Sequence, residues 1–341
     1  MRTTAILVLV ASVACGKTRE PSGSAPDDAP RAVKRPTPKA DGVEHAEIKG
    51  SIRHAHAGGE RTEEAGGHGE LDPIHRFWGS SATDIYAAAW DDPGRGLLHS
   101  KGDGVWTHEP LSDRRLVGLW GSGPRDIYVS GNAGFIYHGH GDGTWNAEPI
   151  RSEGATRVIW GSGPHDVYAA SAYGKVFHSK GAGAWTIQSV GDKTLLLAMW
   201  GSGPTDIYVA GDEGKIFHSK GDGTWQPQGP LGDGQYKAQI RGLWGASAKE
   251  VYAVSSGLFH STGDGKWTKV PVEGLTTASS VWSDGKGTLY VGANDGMLFV
   301  RRDGAWSHTV DKHAGTYQAL WGIDDELYIG AERFLTWTTP R

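Results

Sequence analysis

Residues 116–150 read LVGLWGSGPRDIYVSGNAGFIYHGHGDGTWNAEPI, and this stretch decides the fold. It holds four short apolar runs, LVGLWG, DIYVSG, FIYHGH and TWNAEPI, each rich in β-branched and aromatic residues. Between them lie GSGP, GNAG and GDG, all breaker-rich, so the runs read as four strands joined by tight turns. The same pattern recurs along the chain. Trp78, Trp120, Trp160, Trp200, Trp244, Trp282 and Trp321 stand 38 to 44 residues apart, and each is followed by a tyrosine. The tyrosines are Tyr86, Tyr128, Tyr168, Tyr208, Tyr252, Tyr290 and Tyr328, eight residues on in six copies and seven in the last. A second tryptophan follows the Gly-rich turn at Trp106, Trp145, Trp185, Trp225, Trp267 and Trp306. A period near 40 built only from strands marks a propeller blade. One blade exposes two apolar faces, and stacking blades in a ring buries them. The expectation is an all-β, seven-bladed β-propeller over residues 73–341, its tyrosines and tryptophans serving as core.

The seventh copy runs LYIGAERFLTWTTPR and then stops, with Thr336 where the other third strands carry histidine. Its fourth strand is missing. The expected remedy is a closing strand borrowed from residues 43–52, VEHAEIKGSI; a three-stranded last blade is the alternative.

Upstream of the repeats the chain changes character. Arg2 precedes a ten-residue apolar run, AILVLVASVA, too short to span a bilayer and suited to a signal-peptide core. It ends at Cys15, the only cysteine, so no internal disulfide can form. The stretch SVAC resembles the bacterial lipobox, with Ser12 where leucine or valine is usual. That resemblance implies cleavage after residue 14, lipidation of Cys15, and export to the cell envelope. Gly16 after the cysteine points to the outer membrane. Residues 15–72 are rich in Ala, Pro, Gly and charge, a composition that cannot offset its ordering entropy and reads as a disordered tether. Its histidines, His45, His54, His56 and His68, read as polar filler rather than metal ligands.

Glycine is 52 of 341 residues and tryptophan 15, both well above ordinary usage, which fits many turns and aromatic-filled strands. The net charge of −5 gives no electrostatic footprint for nucleic acid. No cofactor or metal is expected. The third-strand histidines His99, His138, His178, His218 and His260 fall one per blade, too far apart to converge on an ion. The Asp-Gly turns at Asp103, Asp142, Asp222 and Asp264 are read as turn formers.

The blades resemble WGSGPxDVYAVG-type repeats of exported bacterial proteins. SKGDGTW at residues 219–225 is similar to the Asp-box of bacterial neuraminidases, one residue short in spacing. That likeness implies a propeller and carries no activity, because the Asp-box is a folding motif. Glycoside chemistry of that kind needs an arginine clamp, an activated tyrosine and paired acids. The tyrosines here occupy a core position in every copy, and no arginine cluster stands outside the repeat. A photosystem II assembly protein of plastids and cyanobacteria also resembles this repeat type.

Because the chain supplies its own set of copies, what repeats is scaffold and what departs from the repeat is where a site belongs. The first-to-second and third-to-fourth turns are nearly invariant. The opposite face varies. The first blade's second-to-third turn is longer and holds Trp90, Asp91, Asp92 and Arg95. The connection between residues 225 and 244 is also longer and holds Gln235, Tyr236 and Lys237. Three residues before the repeat tryptophans lie His75, Val117, Arg157, Leu197, Arg241, Ser279 and Gln318, marking the mouth of the central channel. Of these His75, Arg157, Arg241 and Gln318 are polar. With Trp90, Arg95, Tyr236 and Lys237 they form the candidate ligand face. The expected role is a non-enzymatic binding or scaffold module on the envelope that recognises a protein or a glycan. A sialidase-like glycosidase and an assembly factor for an envelope complex are the alternatives.

Overall fold

The computed structural model describes the backbone of residues 52–56 and 61–62, and residues 74–331 apart from 90–95, 112–114, 132–133, 153, 182, 233–238, 312–313 and 325. Every regular element in this set is a strand, save two single-turn 3-10 segments at Ala172–Gly174 and Asp212–Gly214. The second blade shows the plan. Gly118–Gly123, Asp126–Ser130, Phe135–Gly139 and Trp145–Pro149 pair antiparallel in sequence order. Five other stretches repeat it, so that residues 74–310 make six consecutive four-stranded blades. The first strands of neighbouring blades lie against one another and line the ring.

The seven tryptophan–tyrosine pairs predict seven blades cut in order from residues 73–341, and the structure corrects that count to six. The seventh copy yields only Tyr317–Ile323 and Glu326–Ala331 and is not a blade in its own right. A joint sheet fills the remaining place in the ring. In it Ile52–His56 pairs antiparallel with Glu326–Ala331, and Arg61–Thr62 pairs with Ile52–His56. The first strand of this sheet lies against that of the first blade, so the ring closes.

Two further expectations change with it. The borrowed strand is Ile52–His56 rather than residues 43–52, and a second strand comes with it. The segment 15–72 is therefore not tether throughout. The reason is the edge: strand Glu326–Ala331 would otherwise present a row of unpaired N–H and C=O groups. The signal peptide 1–14, Cys15 and the remainder of 15–72 lie outside the described residues.

Within each blade the repeat residues form a row across the strands. Trp120 pairs with Tyr128, and Tyr128 with His138, so three rings stand side by side on one face. Tyr128 stacks on His138 at 4.2 Å, while Trp185 of the next blade meets it edge-on at 6.3 Å. Six of the repeat tyrosines are 4 % exposed or less, as core positions demand; Tyr290 is half-buried. The first-strand tryptophans are half-buried, and six of the seven indoles lie over the glycine that follows the tryptophan of the next copy; the copy after Trp244 carries Ser283 there. A Cβ at Gly161 would stand 2.5 Å from Trp120, and one at Gly201 2.6 Å from Trp160. Across the closure, Gly79 meets Trp321 in the same way.

Candidate functional site

The third-strand histidines are structural. His99, His138, His178 and His218 each bond through Nε2 to the aspartate that opens the second strand, at 2.7 to 2.9 Å. The same aspartates accept from Ser80, Ser122, Ser162 and Ser202. Asp103, Asp142, Asp222 and Asp264 each accept a backbone N–H two residues on, the turn role expected of them. Among the described residues no set of His, Cys, Asp or Glu side chains is grouped to hold a metal ion.

A contact that the repeat pattern did not reveal joins neighbouring blades. Trp145 Nε1 donates to Glu109 of the blade before it, and Trp185 Nε1 donates to Glu148. Trp225 and Trp267 donate in the same way to Gln188 and Gln228. The signal was present as a Glu or Gln three residues after the first four fourth-strand tryptophans, at 109, 148, 188 and 228; Val270 and Thr309 follow the last two.

The departure from scaffold lies at the channel mouth. Five first strands carry a β-bulge at the same place. The extra residue, with no partner across the ladder, is His75, Arg157, Leu197, Ser279 or Gln318. A bulge re-aims the side chain it inserts. All five line one cavity of about 360 Å³, together with Val117 and Arg241, which hold the equivalent positions in the remaining copies. The structure thus brings His75, Arg157, Arg241 and Gln318 together from four different copies of the repeat. Trp90, Arg95, Tyr236 and Lys237 lie outside the described residues.

Arg76 also lines this cavity, and the sequence reading passed over it. Its guanidinium donates to the carbonyls of His75 at 2.7 Å and of Leu197 at 3.2 Å, spanning from the first blade to the fourth across the channel. Its partial burial at the channel mouth lowers its pKa. The signal for it was compositional: the other copies carry Gly118, Val158, Ala198, Gly242, Ser280 and Ala319 at this position, all small or apolar. Arg241 donates to Gln239 at 2.9 Å, and Gln239 donates to Asp212 at 2.7 Å, so an amide stands between that guanidinium and the nearest acid of the chain of bonds. Arg157 Nε is buried and has no hydrogen-bond partner among the described residues. Burial, with Arg76 and Arg157 adding to it, lowers the His75 pKa to about 4 against a hydrogen bond with the Gln318 side chain that works the other way, so the imidazole is neutral at pH 7.

Below the mouth the channel continues between the half-buried tryptophans Trp78, Trp120, Trp160, Trp244, Trp282 and Trp321. On the same face, beside the mouth, Lys215 bridges Asp192 and Glu213 at 2.9 Å each. Tyr173, half-exposed at φ 60° in the third blade's second-to-third turn, is a projecting aromatic there that the sequence reading did not select.

No family model and no curated protein sequence matches the chain. Solved propellers resemble it in fold. The WD40 β-propeller domain of Doa1 superposes with a TM-score of 0.62 at 10 % identity, over 78 % of this chain and 94 % of that one. YCF48 from Cyanidioschyzon merolae gives 0.63 at 12 %, over 77 % and 94 %. YCF48 bound to D1 peptide gives 0.62 at 12 %, over 85 % and 99 %. At these identities the likeness is one of fold.

Proposed function

We propose that this protein is a binding or scaffold module that recognises a partner through the varied face of its propeller. One observation carries the reading: departures from the repeat gather on that face and at the channel mouth, while the opposite turns stay alike in copy after copy. A ring of near-identical blades gives a rigid frame, and function then resides in what is grafted onto it. Tyr173 offers an aromatic anchor of the kind that dominates interfaces. That YCF48 binds a D1 peptide supports the view that a propeller of this shape can carry a peptide site. The mouth presents guanidinium, amide and hydroxyl groups, with no carboxylate or tyrosine hydroxyl among its described lining residues. A glycosidic bond placed there would meet no paired carboxylates among the described residues, which favours binding over hydrolysis.

In this reading Cys15 carries a lipid that displays the module on the envelope, and Cys15→Ser releases it from membranes. The face itself is tested by quantitative capture from envelope extracts and on a glycan array. Tyr173→Ala and Arg241→Ala should weaken capture at least tenfold, while Thr205→Ala, on the invariant face, leaves it unchanged. Equal capture by all three variants would exclude the varied face as the recognition surface.

A further inference from the structure

Among the described residues, the channel mouth is a cationic pocket whose lining holds no carboxylate. Arg76, Arg157 and Arg241 line it, and none of the three forms a salt bridge among the described residues. Arg76 and Arg157 are partly buried and Arg241 is exposed, and like charges gathered at one mouth repel each other. The neutral His75 relieves part of that repulsion, as its lowered pKa reflects. Arg76 is held rigid by two carbonyls on opposite sides of the channel, and Arg241 is oriented by Gln239. Arg157 keeps a buried Nε–H with no partner among the described residues. Planar forks of this kind match the paired oxygens of an oxyanion, and donors fixed in advance bind with little ordering cost.

From this geometry we infer that the channel mouth binds an oxyanionic group, a carboxylate or a phosphate, carried on a ligand of about monosaccharide size. The pocket volume of about 360 Å³ sets the size. Leu195, Leu197 and Val117 supply apolar wall for the ligand's body, and Ser279 and Gln318 supply neutral polar contacts. The inference rests on the varied face being the recognition face and names the chemistry at its centre.

Isothermal titration of the full chain with glucuronate, glucose 6-phosphate and glucose tests it. One or both acids should bind saturably, and glucose at least tenfold more weakly. Which acid binds distinguishes a carboxylate from a phosphate ligand. Arg157→Gln and Arg241→Gln should each weaken binding about tenfold with a melting temperature within about 2 °C of the parent; neither side chain bonds directly from one blade to another as Arg76 does. Saturation should also raise the His75 pKa, followed by NMR. Absence of binding by both acids, equal binding of glucose, or variants that bind as well as the parent would overturn the site. Partner capture that survives Arg157→Gln with anion binding lost would overturn the anion as the recognised group and leave the face standing. Anion binding retained in a Tyr173→Ala variant that has lost capture would do the reverse for the outer contacts alone.

Discussion

At the scale of the residue, neighbouring blades form an internal control. His99 and His138 stand between two carboxylates: His99 has Asp84 at 2.9 Å and Glu109 at 3.6 Å, and His138 has Asp126 and Glu148. His178 and His218 keep the aspartate, but Gln188 and Gln228 replace the second acid. Burial works to lower the His99 pKa, and the bonds to Asp84 and Glu109 outweigh it and lift the pKa to about 9. A folded pKa above the unfolded value of about 6.5 stabilises fully below that value, and the contribution is lost as pH rises toward 9. Glu109→Gln converts the first blade to the third blade's arrangement, since glutamine still accepts from Trp145. It should lower the His99 pKa by about one unit or more in an NMR titration. It should also flatten the loss of stability between pH 6.5 and 9; a His99 pKa that stays near 9 would show that Asp84 alone sets it. Trp145→Phe removes the other half of the contact and leaves Glu109 without that donor. Its expected cost is about 1–2 kcal/mol, read by urea denaturation.

At the scale of the element, the strand plan was legible because strands and turns are written locally. Tyr128 lies between Trp120 and His138 because an eight-residue spacing across a tight turn places them in register. The mouth residues were also legible, since seven copies in one chain mark the same position. What the spacing concealed is the bulge that aims His75 and Arg157 into the channel, because a bulge is a local backbone choice. The Trp145–Glu109 contact was hidden for a different reason: it joins two blades and depends on their packing. The glycine that follows six of the seven first-strand tryptophans belongs to the same class of inter-blade fit. At Gly161 a methyl would press on the Trp120 ring at 2.5 Å and on the Asp166 carbonyl at 2.8 Å. Neither the ring nor the strand can yield without shifting a blade. Gly161→Ala should therefore destabilise by about 1–3 kcal/mol. Gly163→Ala, two residues on with open space around it, should cost well under 1 kcal/mol in the same urea series. Equal losses at the two sites would remove the blade-to-blade fit as the reason for the glycine.

At the scale of the whole molecule, the ring depends on a sheet that no single stretch of chain supplies. Ile52–His56 pairs with Glu326–Ala331 over five residues, from Ile52 opposite Gly330 to His56 opposite Glu326. Leu327, Tyr328, Ile329 and Ala331 in that last strand are buried, and Phe77 of the first blade meets Tyr328 at a ring separation of 6.0 Å. Losing the N-terminal partner would leave a two-stranded ribbon between the sixth blade and the first, with an open edge next to this core. Truncation of residues 1–63 should therefore lower the melting temperature by about 10 °C or more, since each kcal/mol lost shifts it by only about 2–4 °C in a domain of this size. The bared edge should also promote self-association in analytical ultracentrifugation. Truncation of residues 1–45 retains both borrowed strands and should melt within about 2 °C of the full chain. If the two truncations melt alike, the borrowed strands do not secure the ring, and its closure must rest on the contacts of the first and last inner strands alone. Adding a synthetic peptide of residues 46–64 to the shorter protein should restore the higher melting temperature in a concentration-dependent way. Rescue by mass action of that kind is the signature of a strand that binds the folded ring.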